Sequence, residues 1–232
     1  KRQGRRAHSP GRLGREVRGP RVEVDRPRAV VRHHGGGPER ALQIERSQAG
    51  HDRSEEVQRE IQADLGGITV LVNNAASDDR HTWQDMTVEY WNDRLDTNLR
   101  HYFFAIQAVA PGMIAAQHGS IINIGSSSYM MQEDFFPGYA IAKSAVEGIT
   151  RTMARTFGPD NVRVNTVLPG WVATDRQLTK WWTPEGEAGT LRDQALKHRI
   201  SPTEFAQMVL FLAADDGSAC TAQHFLVDGG RF

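Results

Sequence analysis

The chain has 232 residues, 28 basic and 28 acidic side chains, and a single cysteine, Cys220. This length is enough for one α/β domain with a sizeable core. One cysteine excludes a disulfide within the chain, which indicates a reducing, cytoplasmic location. We find no run of about 18 apolar residues and no apolar leader, so we expect neither a transmembrane helix nor a signal peptide. The first residue is Lys1 rather than Met, which indicates a fragment or a processed start.

The N-terminal segment differs in composition from the rest. Residues 1–60 hold 14 Arg and one Lys against nine acidic residues, and no Phe, Trp or Tyr. Such a segment cannot bury much apolar surface. Residues 1–51 could be a solvated basic tail that touches nucleic acid or an acidic membrane surface, a divergent cofactor loop, or GC-rich coding DNA read out of frame. We favour the third interpretation as a hypothesis, which places a domain boundary between 1–51 and 52–232.

From Asp52 onward, helical and strand-like patterns alternate. The apolar runs predict buried strands at 68–72, 120–126, 162–168 and 225–227. The helical patterns lie at 54–65, 87–117, 138–157 and 201–214. Two apolar faces are expected to be buried: Trp91, Leu95, Leu99 and Phe103 in the second helix, and Ala206, Val209, Leu210 and Ala213 in the last. Ser201-Pro202-Thr203-Glu204 has the composition of a capping box at a helix start.

The pair Tyr139 and Lys143 stands out because it would lie on one face of a helix, one turn apart. An ammonium beside a phenol favours the phenolate, and a phenol so tuned can act as an acid or base near neutral pH. Ser126, at the end of a predicted strand, could direct its hydroxyl to the same place. Taken alone, this pattern is also typical of a solvated helix face.

The surrounding motifs change that balance. Asn73-Asn74-Ala75-Ala76 follows one strand, Asn98 lies in the long helix, Pro169-Gly170 follows another strand, and Asp228-Gly229-Gly230 closes the chain. In this order and spacing, residues 52–232 resemble the short-chain dehydrogenase/reductase family. The resemblance implies a single α/β domain with a Rossmann-like, doubly wound parallel sheet. It also requires a Gly-rich turn, TGxxxGxG, in an N-terminal βαβ unit, and residues 1–51 contain no such turn.

The resemblance also implies roles for residues. Tyr139 would be the catalytic base and Lys143 would lower the pKa of its phenol and hold the nicotinamide ribose. Ser126 would bond the reacting oxygen, and Asn98 would order a water in a proton relay. The cofactor NAD, or NADP, would contact Asp52, Asn73, Ala75, Tyr139, Lys143, Pro169, Gly170, Val172 and Thr174. No metal is implied.

Several stretches are similar to the sugar 1-dehydrogenase branch of the family, among them Asp78-Asp79-Arg80-His81 and residues 182–188. That similarity implies oxidation of a D-xylose-like aldose at C1 to the lactone. The candidate substrate residues are Arg80, His81, Trp171, Trp181 and Trp182. Residues 175–199 would be a lid, and a homotetramer would form through the long helices, without nucleic-acid or membrane partners.

Three alternatives remain at this point. The chain could be a damaged or truncated dehydrogenase without cofactor binding. It could act on another alcohol or an oxoacyl substrate, since a fold does not fix a substrate. It could bind nucleic acid through the Arg-rich segment, which its net charge of zero supports little.

Overall fold

The computed structural model describes residues 41–43 and 67–232. Five parallel strands form one sheet in the order in which they occur along the chain. They are β1 (Ala41–Gln43), β2 (Val70–Asn73), β3 (Gly119–Ile124), β4 (Val162–Pro169) and β5 (His224–Val227). The α/β class with a parallel sheet is therefore confirmed, and the four predicted strands downstream of residue 67 are present.

Helices cover both faces of the sheet. They are α1 (Val88–Leu95), α2 (His101–Ala116), α3 (Pro137–Phe157), α4 (Asp175–Lys180), α5 (Pro184–Asp193) and α6 (Pro202–Ala213). Consecutive strand residues point to opposite faces, so Leu71 and Ile121 belong to a core under α2 and α3, while Val70 and Ile122 belong to a core under α6. This arrangement explains why the central strands have continuous apolar runs rather than alternation.

A row of polar side chains crosses the buried centre of the sheet. Asn73 donates to Asn123 (2.9 Å), Asn123 donates to Thr150 (2.9 Å), and the Thr150 hydroxyl bonds that of Thr166 (2.7 Å). Because each of these bonds pairs two buried polar groups, the row largely avoids the cost of unpaired polar atoms; the exception is Asn73 Oδ1, which has no partner among the described residues. The row fixes α3 to the strands beneath it.

The long helix predicted over 87–117 is divided. Thr87 caps α1, and a π-helical turn, Asp96–Arg100, separates α1 from α2. The expectation that Trp91, Leu95, Leu99 and Phe103 form the buried face was wrong, because the first three are only partly buried and Phe103 is 40% exposed. The buried residues are instead Arg94, Asn98, Tyr102, Ala105, Ile106, Val109, Ala110 and Met113. Three of these buried residues, Arg94, Asn98 and Tyr102, carry polar groups. A search for apolar patterns cannot identify them.

The C-terminal prediction is confirmed in one part and corrected in another. Ser201 and Glu204 form the expected capping box at the start of α6. Leu210, predicted to be buried, is 59% exposed, and Leu212 lies in the core instead. The predicted helix 54–65, Asp52 and the N-terminal βαβ unit lie outside the described residues. Within residues 67–232, no helix combines the length and the apolar composition needed to cross a bilayer.

Candidate active site

The site lies at the carboxyl edge of the sheet, where β3 gives way to Ser126 and α3 begins. At Gly125 a Cβ atom would lie 2.3 Å from the side chain of Leu168, so only glycine lets the chain leave β3 beside β4. Pro137 occupies the first turn of α3, a position that its fixed φ suits. As a result Tyr139 and Lys143 lie one turn apart, and Ser126, whose hydroxyl donates to that of Ser128 (2.9 Å), lies near enough to the Tyr139 phenol for a hydrogen bond that favours the phenolate. The predicted trio is therefore brought together.

The electrostatics of the pair differ from the expectation. Burial raises the pKa of Tyr139 to about 12, and the Ser126 hydrogen bond only partly opposes this effect. Burial lowers the pKa of Lys143 to about 7, opposed by the charge of Asp78. The Lys143 ammonium lies 5.7 Å from the centre of the Tyr139 ring. In the protein alone, desolvation therefore raises the pKa of Tyr139 more than the predicted effect of Lys143 lowers it.

The partners of Lys143 include a residue that sequence reasoning missed. Its Nζ donates to the Tyr102 hydroxyl (2.7 Å) and to the Ile124 carbonyl (2.7 Å). The Tyr102 hydroxyl itself donates to the same carbonyl (2.6 Å). The available signal was the spacing of Tyr102 from Asn98, since residues four apart share a helix face.

Asn98 lies in the π-helical turn and is completely buried. Its Oδ1 accepts from the Ser77 backbone N–H (2.7 Å), and its Nδ2 donates to the Arg94 carbonyl (3.0 Å). The carboxamide therefore joins the helix to the loop after β2. A π-helical turn inside an α-helix frequently marks a functional position, and one N–H and one lone pair of this carboxamide remain for a water.

The predicted cofactor residues line the same edge. Asn73 is buried and its Oδ1 has no partner among the described residues, while Ala75 is partly buried two residues later. Pro169 accepts from both the backbone N–H (3.2 Å) and the hydroxyl (3.0 Å) of Ser127, which joins the ends of β4 and β3.

The turn after β4 is held tightly. A Cβ at Gly170 would lie 2.8 Å from Asp228 Cα, and Val172 forms a bridge with Ile200. Thr174 caps α4 by accepting from Gln177 (3.3 Å). The hydroxyl proton of Thr174 remains available to a ligand, since a hydroxyl both accepts and donates.

Arg80 lies among aromatic rings near Tyr139. Its guanidinium is 4.3 Å from the centre of Phe135, 4.4 Å from that of Phe136 and 5.0 Å from that of Trp181. Phe136 in turn packs edge-on against Tyr139, 5.0 Å between centres. Arg80 makes no hydrogen bond or ion pair to another described side chain, and burial lowers its pKa. Its donors are therefore available to a ligand.

Trp171 and Trp182, two of the candidate substrate residues, contact each other. Trp182 stacks on Trp171 at 4.2 Å and 26°, whereas its neighbour Trp181 faces Arg80. The Nε1 of Trp171 donates to Gln177 and that of Trp182 donates to Glu187. Trp181 and Trp182, although adjacent in the chain, therefore have different aromatic and charged neighbours.

His81 is engaged by backbone groups. Its Nε2 accepts from the Gly138 N–H (3.0 Å), so its Nδ1 carries the proton and donates to the Asp79 carbonyl (2.9 Å). The ring therefore holds the first turn of α3 in place. In this structure both ring nitrogens have partners, and through Gly138 His81 holds the first turn of α3, which carries Tyr139.

Charged contacts that the sequence did not indicate hold α4 over the site. Arg176 pairs with Asp78 (3.2 Å) and Asp79 (2.9 Å), and Gln177 donates to Asp78 (2.7 Å). These contacts join the predicted lid to the loop after β2. No three His, Cys, Asp or Glu side chains in the described part of the chain are grouped to hold a metal ion.

The chain is similar to known proteins in both sequence and structure. Residues 36–231 match the profile of the family described as enoyl-(acyl carrier protein) reductase. The chain is 49% identical over 168 residues to the D-xylose 1-dehydrogenase of Caulobacter vibrioides, covering 72% of this chain and 67% of that one. It is 43% identical to the probable galactose dehydrogenase GalD of Rhizobium meliloti, covering 75% and 68%. Among solved structures, the TT0495 protein of Thermus thermophilus superposes with a TM-score of 0.73 at 30% identity, covering 78% and 77%.

Proposed function

This chain belongs to the short-chain dehydrogenase/reductase family, an oxidoreductase family, and on that premise we propose that it oxidises a D-xylose-like aldose at C1 to the lactone with NAD as acceptor. The likeness to two sugar dehydrogenases supports a sugar as the substrate class. The observation that carries the proposal is the grouping of Ser126, Tyr139 and Lys143 at the carboxyl edge of a parallel sheet, where ligands bind in open α/β folds.

The proposed chemistry assigns one task to each residue. Tyr139 takes the proton of the anomeric hydroxyl, and Ser126 bonds the same oxygen and fixes its position. Lys143 supplies a positive charge and a hydrogen-bond donor beside the phenol. When bound, the nicotinamide accepts the hydride. Because burial raises the pKa of Tyr139 to about 12, the phenolate depends on positive charge in the site.

The cofactor would lie along the edge formed by Asn73, Ala75, Pro169, Gly170, Val172 and Thr174. The structure offers a buried, unpartnered Asn73 Oδ1 and an available Thr174 hydroxyl proton there, which suits a polar ligand. NAD is proposed over NADP. Asp52, proposed to contact the adenine, lies outside the described residues, as does the segment whose charge would select between the two cofactors.

The substrate would lie against Arg80. A guanidinium held by rings and without a side-chain partner can donate to the vicinal hydroxyls of a sugar, and Trp181 contributes an apolar wall beside it. We keep Trp171, Trp182 and His81 as substrate-side residues that act by holding this wall and the start of α3. The lid 175–199 would close over the sugar.

The family membership also supports a proposal about the oligomeric state and the cellular location. The partly exposed apolar side chains Trp91, Leu95 and Leu99, together with Phe103, suit an interface through the long helices, and we propose a cytoplasmic homotetramer. The division into an abnormal segment, 1–51, and a catalytic domain, 52–232, stays a prediction. If the abnormal segment replaces the cofactor turn, the chain is a dehydrogenase that binds no cofactor, which is the alternative that the absent TGxxxGxG turn favours.

The test combines binding with turnover. NAD and NADP binding are measured by calorimetry on the purified chain, and reduction of each is followed with D-xylose, D-galactose and a simple secondary alcohol. We expect NAD binding and the fastest turnover with D-xylose. If a folded chain binds neither cofactor, the alternative of a dehydrogenase without cofactor binding is established. Faster turnover of the alcohol than of either sugar would overturn the sugar assignment.

Two variants test the residue roles. Tyr139→Phe should remove nearly all turnover and leave the fold unchanged, by analogy with other acid–base groups that contribute about 10²–10⁴-fold. Arg80→Met should raise KM for D-xylose by roughly tenfold or more, since it removes charged donors worth about 1.5–3 kcal/mol. Turnover of Tyr139→Phe within a few-fold of the parent would contradict the mechanism, and an unchanged KM for Arg80→Met would contradict the substrate site.

A further inference from the structure

Tyr102 is a buried titratable group that the proposed chemistry does not use. It is fully buried, at the start of α2, directly after the π-helical turn. Its hydroxyl, the Lys143 ammonium and the Ile124 carbonyl form a closed triangle with edges of 2.7, 2.7 and 2.6 Å. The Lys143 ammonium also lies 5.0 Å from the centre of the Tyr102 ring. Contacts this short among buried groups fix the position of Nζ.

The number of protons in this triangle determines which group donates in each contact. A tyrosine hydroxyl has one proton, and Tyr102 donates it to the Ile124 carbonyl, so its oxygen can only accept from Lys143. An ammonium has three N–H donors and a neutral amine has two. With two donors directed to Tyr102 and Ile124, only the protonated form has a third, and tetrahedral geometry directs it away from both acceptors.

We propose that Tyr102 is a positioning residue that, together with the Ile124 carbonyl, anchors two N–H groups of Lys143, so that the third, labile proton is the one presented to the reacting side of the site. Loss of that proton leaves a lone pair in the same direction. A ligand beside Tyr139 therefore meets an N–H donor when Lys143 is protonated and a lone pair when Lys143 is neutral. This inference rests on the proposed role of Lys143 in catalysis.

The groups that face Lys143 support this assignment. They are Tyr102 from α2, Tyr139 from its own helix and Asp78 from the loop after β2. Burial raises the pKa of Tyr102 well above its ordinary value, so Tyr102 stays neutral and acts only as a hydrogen-bond partner. Burial lowers the pKa of Lys143 to about 7, so the group that changes its protonation state in the working range is the lysine.

The test is an NMR titration that needs neither cofactor nor substrate. The chain has only four lysines, at positions 1, 143, 180 and 197, so [¹³C]lysine labelling gives few signals, and Lys143→Met assigns the relevant one. In Tyr102→Phe we expect the proton affinity of Lys143 to fall about tenfold, because one hydrogen bond to the charged form is lost. In the active holoenzyme, kcat should shift along the pH axis by the same amount while KM changes little.

Tyr129→Phe is the matched control. It also removes one hydroxyl, but that hydroxyl bonds Glu147, and the Lys143 titration should remain that of the parent. If Tyr102→Phe does not fold, 3-fluorotyrosine at position 102 keeps the hydroxyl but weakens its oxygen as an acceptor, and a smaller fall in proton affinity is expected. An unchanged Lys143 titration in either folded protein overturns the inference. Because the readout is independent of turnover, this result is distinguishable from failure of the sugar dehydrogenase proposal.

Discussion

Lys143→Met should stabilise the fold at pH 7 while abolishing function. Burial lowers the pKa of Lys143 from its ordinary 10.5 to about 7. Each pKa unit corresponds to about 1.36 kcal/mol, so holding the charged form in this site costs about 5 kcal/mol. Between about pH 7 and 10.5 the unfolded chain binds a proton that the folded chain lacks. In that window the stability of the parent therefore rises with pH.

The variant removes this dependence. Methionine preserves the length of the side chain, and Tyr102 still donates to the Ile124 carbonyl, so no buried acceptor is left empty. Two hydrogen bonds of about 1 kcal/mol each are lost. We therefore expect Lys143→Met to exceed the parent by about 2 kcal/mol at pH 7. The advantage should decrease by about 3 kcal/mol between pH 7 and pH 10, because the pH then approaches the ordinary pKa of 10.5 at which the unfolded chain also loses its proton.

Urea unfolding of both proteins at pH 7, 8.5 and 10 measures this difference. Lys180→Met is the matched control, since Lys180 is exposed, and its stability should follow that of the parent at each pH. A difference between parent and Lys143→Met that does not change with pH would refute the reasoning. So would a variant that is destabilised most at pH 7.

Two further changes test how the site is held. Gly170→Ala should lower the free energy of unfolding by about 1–3 kcal/mol, because its Cβ would lie 2.8 Å from Asp228 Cα. The control is Gly189→Ala in α5, where a Cβ meets open space, and this variant should be neutral or stabilising by up to about 1 kcal/mol. Equal melting temperatures for the two variants would contradict the close approach at Gly170. His81→Phe leaves the Gly138 N–H without its acceptor, at a cost of about 1–3 kcal/mol, and should lower kcat more than it raises KM. Tyr90→Phe loses only a 3.4 Å contact with His81 and serves as its control, and a KM effect confined to His81→Phe would instead favour direct substrate contact.

The sequence predicted the fold downstream of residue 67 because its signals are local. Apolar runs indicated β2, β3, β4 and β5, and the capping box at Ser201 predicted the start of α6. Tyr139 and Lys143 were identified because four residues make one helical turn. Where burial depends on the whole fold, the same patterns misled: an apolar stripe was assigned to the core although Asn98 and Tyr102 are the buried residues.

The site was only half predictable for the same reason. Ser126 and Tyr139 follow from motif spacing, but the pKa of Tyr139 depends on its burial in the folded chain. The partner of Lys143 is Tyr102, 41 residues away in the chain, and the partner of Trp182 is Trp171 rather than its neighbour Trp181. Such contacts arise from tertiary packing, and periodicity contains no information about them.

The central claim is hydride transfer from C1 of a sugar. Incubation of the chain with NAD and D-xylose deuterated at C1, followed by mass spectrometry of the reduced cofactor, tests it most directly. The account predicts one deuterium in the NADH and an accompanying lactone, with both lost in Tyr139→Phe. Reduced cofactor without deuterium would contradict the account, because the hydride would then come from another carbon.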